Sequence, residues 1–123
     1  MSSVDTMPAG SGDNPDLQAM HRDLVALVRR LEESIDTAPD AAAIMTITEQ
    51  MAEVNARVTA TGRVLLAVQT EEIARHAKAI SDAIPTIEKE IEAIQDCERM
   101  VRSVAALLGT VDEALRVATL ACG

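Results

Sequence analysis

The amino-acid sequence predicts an all-α protein in which a short N-terminal helix lies along one half of a long antiparallel helical hairpin, a three-helix, coiled-coil-like and oligomeric arrangement. Three observations predict it. Apolar residues recur three and four apart through most of the chain, the spacing that lines one face of a helix. Phe, Tyr and Trp are absent, so the core must come from Leu, Ile, Val, Met and Ala, which fill seams between helices better than they line a pocket. Prolines at 15, 39 and 85 mark where the helical pattern starts or is interrupted.

Residues 1–13, rich in Ser, Gly, Asp and Pro and without periodicity, are expected to form a disordered tail. The single helical domain, 14–123, opens on Asn14-Pro15-Asp16: an N-cap, a proline at the first helical position and an acid in the first turn. The first helix, 15–37, carries Leu17, Met20, Leu24, Leu27, Leu31 and Ile35, and Thr37-Ala38-Pro39-Asp40 ends it. A second helix, 40–81, carries Ile44, Ile47, Met51, Val54, Val58, Thr61, Leu65 and Val68. Its stripe then slips and resumes at Ile73, Ala77, Ile80 and Ile84, as at a stutter. Asp82-Ala83-Ile84-Pro85 supplies the next turn, and a third helix, 85–121, follows with Ile87, Ile91, Ile94, Cys97, Val101, Val104, Leu108, Val111, Leu115 and Ala118.

Antiparallel neighbours that face each other have residue numbers of nearly constant sum. Pairing Ile47 with Ala118, Val54 with Val111, Leu65 with Val101 and Ile80 with Ile87 meets this test and centres the fold-back on 82–85. Pairing Leu31 with Ile47 and Leu17 with Thr61 centres the first turn on Pro39. The alternative is one rod bent at Pro85. In the hairpin register Gly62 faces Ser103, Ala105 and Ala106, a close approach of two helices, and Gly109 with Thr110-Val111-Asp112-Glu113 could end one helix and cap another. Acid-then-base pairs four apart, Glu53 with Arg57, Glu71 with Arg75, Glu98 with Arg102 and Asp112 with Arg116, support the outer faces.

At about 1.5 Å per residue the hairpin arms are each roughly 60 Å long and the first helix only about 33 Å. The far half of the hairpin is left as two helices, with Val64, Leu65, Leu66, Val68, Ile73, Met100 and Val101 exceeding what one seam hides. These residues are the expected interface of a homo-oligomer.

Twenty acidic against eleven basic residues give a net charge of -9. That balance opposes binding to nucleic acid or to an anionic membrane surface. Glu88, Glu90, Glu92, Asp96 and Glu98 form an acidic face suited to a basic protein partner. Arg outnumbers Lys nine to two, a bias common in GC-rich bacterial and phage genes. Two cysteines without a CxxC pair, no leader pattern and no apolar run of membrane length point to the cytoplasm.

No catalytic residue, metal site or cofactor is expected. His21 and His76 lie on different helices, the Glu-x-x-His pair of a di-metal bundle is missing, and Cys97 occupies a seam position with no histidine to activate it. Two readings follow: a non-enzymatic adaptor, scaffold or chaperone-like protein working through apolar helix faces, or an acidic inhibitor, for example a phage-encoded one, that imitates nucleic acid at a basic site. Steep loss of binding with salt would mark the second.

Overall fold

The computed structural model describes residues 14–93 and 97–122. The expected disordered tail, with Ile94 and Asp96, lies outside them. Among the described residues the chain is all-helical: α1 (Pro15–Ser34), a 3₁₀ turn (Ile35–Thr37), α2 (Ala41–Gly62), α3 (Glu71–Glu92) and α4 (Cys97–Cys122). The described residues form four helices, where the hydrophobic stripes alone predict three.

α1 starts as its sequence dictates. The buried Asn14 carboxamide accepts from the amides of Asp16 and Leu17, both at 3.0 Å, so two orphan donors of the first turn are satisfied. Leu17, Met20, Leu24, Leu27 and Leu31 form one sealed stripe, each worth about 1.5–3 kcal/mol of burial. At the far end Ser34 Oγ donates back to Leu31 O at 2.7 Å, and Ala38 turns extended, the conformation a following proline favours. Asp40 then caps α2, accepting from the Ala43 amide at 2.8 Å.

The first correction falls at Gly62. The predicted helix 40–81 is two helices, separated by a segment over 63–70. What reads as a stutter is a break, because the segment turns its own apolar side chains inward: Ala67 is buried, and Val64 and Leu65 pack partly against the core. Asn14 holds the segment from the other side. Its amide donates to Leu65 O at 2.7 Å and its Nδ2 to Ala67 O at 3.1 Å, while Gln69 donates to Asp16. Thr70 Oγ1 then accepts from the Ile73 amide at 3.1 Å, and Glu71 and Glu72 lend charge to the first turn of α3.

The second correction concerns Pro85, which lies inside α3 and exposed rather than at a turn. A proline in a helix interior costs about 3 kcal/mol. Ile80 before it and Ile87 and Ile91 after it are all buried on one continuous stripe, and the burial of those two later isoleucines alone exceeds that cost. The predicted register fails with the turn: heptad-like stripes can be aligned in many registers, and only the true break selects one. Here α3 ends at Glu92, the amide of Ala93 after it reaches Lys89 O at 3.1 Å, and the chain resumes as α4 at Cys97. Buried residues then fall at matched distances on either side: Ile91 with Met100, Ile87 with Val104, Ile80 with Val111, Ile73 with Ala118. α4 runs through Gly109 without a break.

α1 packs on α2 and α3, and α4 packs on α3 and α2, leaving α1 diagonal to α4 and α2 diagonal to α3. Arg30 reaches Glu92 at 3.0 Å near the ends of α1 and α3, so those helices run parallel. Arg57 reaches Asp112 at 3.1 Å, and α2 and α4 run parallel likewise. The molecule is two antiparallel hairpins side by side, joined by the diagonal 63–70 segment across one end.

Candidate functional site

The fourfold arrangement redistributes the residues expected at an oligomer interface. Ile73 and Met100 are 0% exposed and belong to the interior. Val64, Leu65 and Val101 are half-buried against the core, and only Leu66 (68%) and Val68 (67%) stand in solvent. The bare two-helix arm from which self-association is inferred is absent among the described residues, because the 63–70 segment folds the chain back before such an arm can form. Leu120, on the last turn of α4, is also exposed.

The acidic set is divided in the same way. Glu92 pairs with Arg30 of α1, Glu98 pairs with Arg102 at 3.2 Å, Glu88 and Glu90 are half-buried, and Asp96 lies outside the described residues. Of the four pairs expected along the helices, Glu53–Arg57 (2.7 Å) and Glu98–Arg102 form. Arg116 takes Glu113 instead of Asp112, which frees Asp112 for Arg57. The Asp112 hydrogen bond is the main reason the Arg57 guanidinium is held still more firmly charged than usual, partly opposed by burial and helped by Glu53.

Gly62 does not face Ser103 and Ala106. A Cβ placed there would meet His21 Nε2 at 3.8 Å, an ordinary contact. His21 and His76 sit in the first two turns of the parallel helices α1 and α3, and Cys97 is half-buried. Among the described residues no group of three or more His, Cys, Asp and Glu side chains is placed to hold a metal ion, and no helix is long and apolar enough to cross a membrane.

What the surface does offer is a groove between α3 and α4. Ala79, Ala83 and Thr86 on one side and Ser103, Ala106 and Thr110 on the other line a hollow of about 300 Å³, with Ile87 and Leu107 beneath. Small residues at these positions keep the rims low, so the backbone of another helix could approach closely. Thr86 also borders a second hollow of about 430 Å³, where Lys89, Glu90 and Arg99 meet. Glu90 Oε1 is shielded there and has no hydrogen-bond partner among the described residues. A shielded carboxylate oxygen without a donor costs stability.

Reading stripes from the sequence misses this groove because small residues on an outer face carry no hydrophobic signal. The available signal is spacing: Ala79, Ala83 and Thr86, and Ser103, Ala106 and Thr110, recur at three and four like a core stripe, on the face opposite no other helix.

No protein-family model matches the sequence, and neither the curated proteins nor the solved structures yield a match. Fold and surface therefore define the class alone: an all-helical protein of two packed hairpins with a shallow, small-residue groove on the second.

Proposed function

We propose that the protein is a non-enzymatic helical interaction protein, an adaptor, scaffold or chaperone-like module, that receives a helix of a protein partner in the α3–α4 groove. The observation that carries this reading is the groove itself, an open channel whose floor is apolar, whose walls are Ala, Ser and Thr, and which adjoins the hollow lined by Lys89, Glu90 and Arg99. Helix-in-groove recognition uses such a trough, with the apolar face of an amphipathic helix laid on its floor. The acidic-inhibitor reading draws less support, since Glu53, Glu92, Glu98, Glu113, Asp82 and Asp112 each have a basic partner within 3.2 Å and do not form a bare acidic strip.

Immobilised full-length chain tested against lysate of its own host cells examines the role. Ala83→Glu and Ala106→Glu should abolish capture of protein partners, while Ala26→Glu on the exposed face of α1 should leave it intact. Equal capture by all four proteins, or none by the wild type, would overturn the reading.

A further inference from the structure

The charges around the α3–α4 groove have an order that a helix pair needs for pairing with itself. On α3, Arg75 stands one turn before Ala79 and Glu90 one turn after Thr86, on the same stripe. On α4, Arg99, Ala106 and Glu113 are seven residues apart and share a stripe. Along these stripes each helix presents a base near its start, small residues in the middle and an acid near its end, with Lys89 beside Glu90 in the second hollow. Arg75 and Arg99 are both exposed and form no ion pair with another described residue. Glu90 forms no ion pair with another described residue, and Glu113 meets Arg116 in a solvent-exposed pair at 3.1 Å.

We propose that the α3–α4 face is self-complementary and that two copies of the chain dock through it, antiparallel, about a two-fold axis passing near Ala83 and Ala106. This rests on the docking role assigned to the groove and names its occupant as a second copy. Antiparallel superposition lays Glu90 of each copy toward Arg75 of the other, and Arg99 of each toward Glu113 of the other. A two-fold axis along the helices would instead lay α3 of each copy on α4 of the other, with Glu90 against Arg99 and Arg75 against Glu113, and mixing charge-swapped variants separates the two arrangements. Between the charged ends the facing residues are Ala, Ser and Thr, so helix axes can approach to about 8 Å, the short end of the range for packed helices. An isologous interface of this kind closes on itself and yields a dimer, not a fibre.

The test uses the purified full chain at tens of micromolar, with mass read by light scattering and helicity by circular dichroism. The wild type should have twice the chain mass of 13.1 kDa. Ala106→Glu, at an exposed position, should keep its helicity and fall to the monomer mass. Glu90→Arg and Arg75→Glu should each weaken their own dimer on the order of tenfold, because one leaves bases and the other acids at both ends of α3. Mixed in equal amounts, those two variants should form a heterodimer preferentially, seen by native mass spectrometry. A monomeric wild type overturns the proposal, and so does a dimer indifferent to Ala106→Glu or a mixture without heterodimer preference. A monomeric wild type that still loses its lysate partner on Ala106→Glu would overturn self-docking while leaving the docking role standing.

Discussion

α1 and α2 are nearly the same length, 20 and 22 residues, and form one hairpin, yet they are sealed to different degrees. Every apolar residue of the α1 stripe is 0–1% exposed. On α2, Ile47 and Val54 are sealed, but Met51 and Val58 are half-buried and Ile44 is 39% exposed. The difference lies in what each helix meets. α1 rests between α2 and the isoleucine stripe of α3. α2 meets α4 across Val101, Ala105, Leu108 and Gly109, a run with two small members, and a hollow of about 300 Å³ remains between them. A polar clamp spans that hollow: Arg57 donates to both Asp112 oxygens at 3.1 Å and to Glu53 at 2.7 Å. One seam is closed by apolar volume and the other is bridged by charge.

The largest consequence concerns truncation. Leu27→Ala in α1 should cost about 2–5 kcal/mol, because a sealed site leaves a cavity behind. Met51→Ala in α2 should cost about 1 kcal/mol, since its side chain is already partly in water. Urea unfolding followed by circular dichroism measures both, the chain having no aromatic fluorophore. Equal losses would erase the distinction between the seams.

The same contrast explains what could be read from residues alone. The first hairpin was legible: Asn14-Pro15-Asp16, the leucine stripe and Ala38-Pro39-Asp40 act locally, and each acts in the structure as its chemistry prescribes. The 63–70 segment was not, because its inward residues Val64, Leu65 and Ala67 keep an apolar rhythm that resembles a continued helix. The local sign of a break was Thr70-Glu71-Glu72, a cap followed by acids, overshadowed by the stronger turn signal of Pro85. That signal misleads because tertiary burial of Ile87 and Ile91 outweighs a local propensity. With the turn misplaced by about ten residues, the interface drawn from it joined core residues such as Ile73 and Met100 to surface ones such as Leu66.

A smaller, opposite effect is expected at Gly109, on the loose seam. A Cβ there would meet nothing within 4 Å, and alanine in a helix interior is favoured over glycine by about 0.8–1 kcal/mol. Gly109→Ala should therefore raise the urea midpoint by a corresponding amount. A destabilised variant would mean that α2 and α4 approach more closely than the hollow between them allows.

The smallest effect sits at the rim of the tight seam and has a pH signature. Burial raises the carboxyl of Asp23 on α1 above its ordinary value of 3.8, with Arg22 pulling it partway back. The folded chain therefore keeps this proton over a pH range in which the unfolded chain has already released it. Its contribution to stability is most favourable below 3.8 and declines as pH rises through the elevated folded value, leaving a constant small penalty at neutrality. Asp23→Asn removes the titration. The variant should melt slightly higher than wild type at neutral pH and lose that advantage in acid, as read by circular dichroism melts at the two conditions. An advantage that grew in acid would place Asp23 in a stabilising ion pair, and the rim of the tight seam would then be no less accommodating to charge than the Arg57 clamp on the loose one.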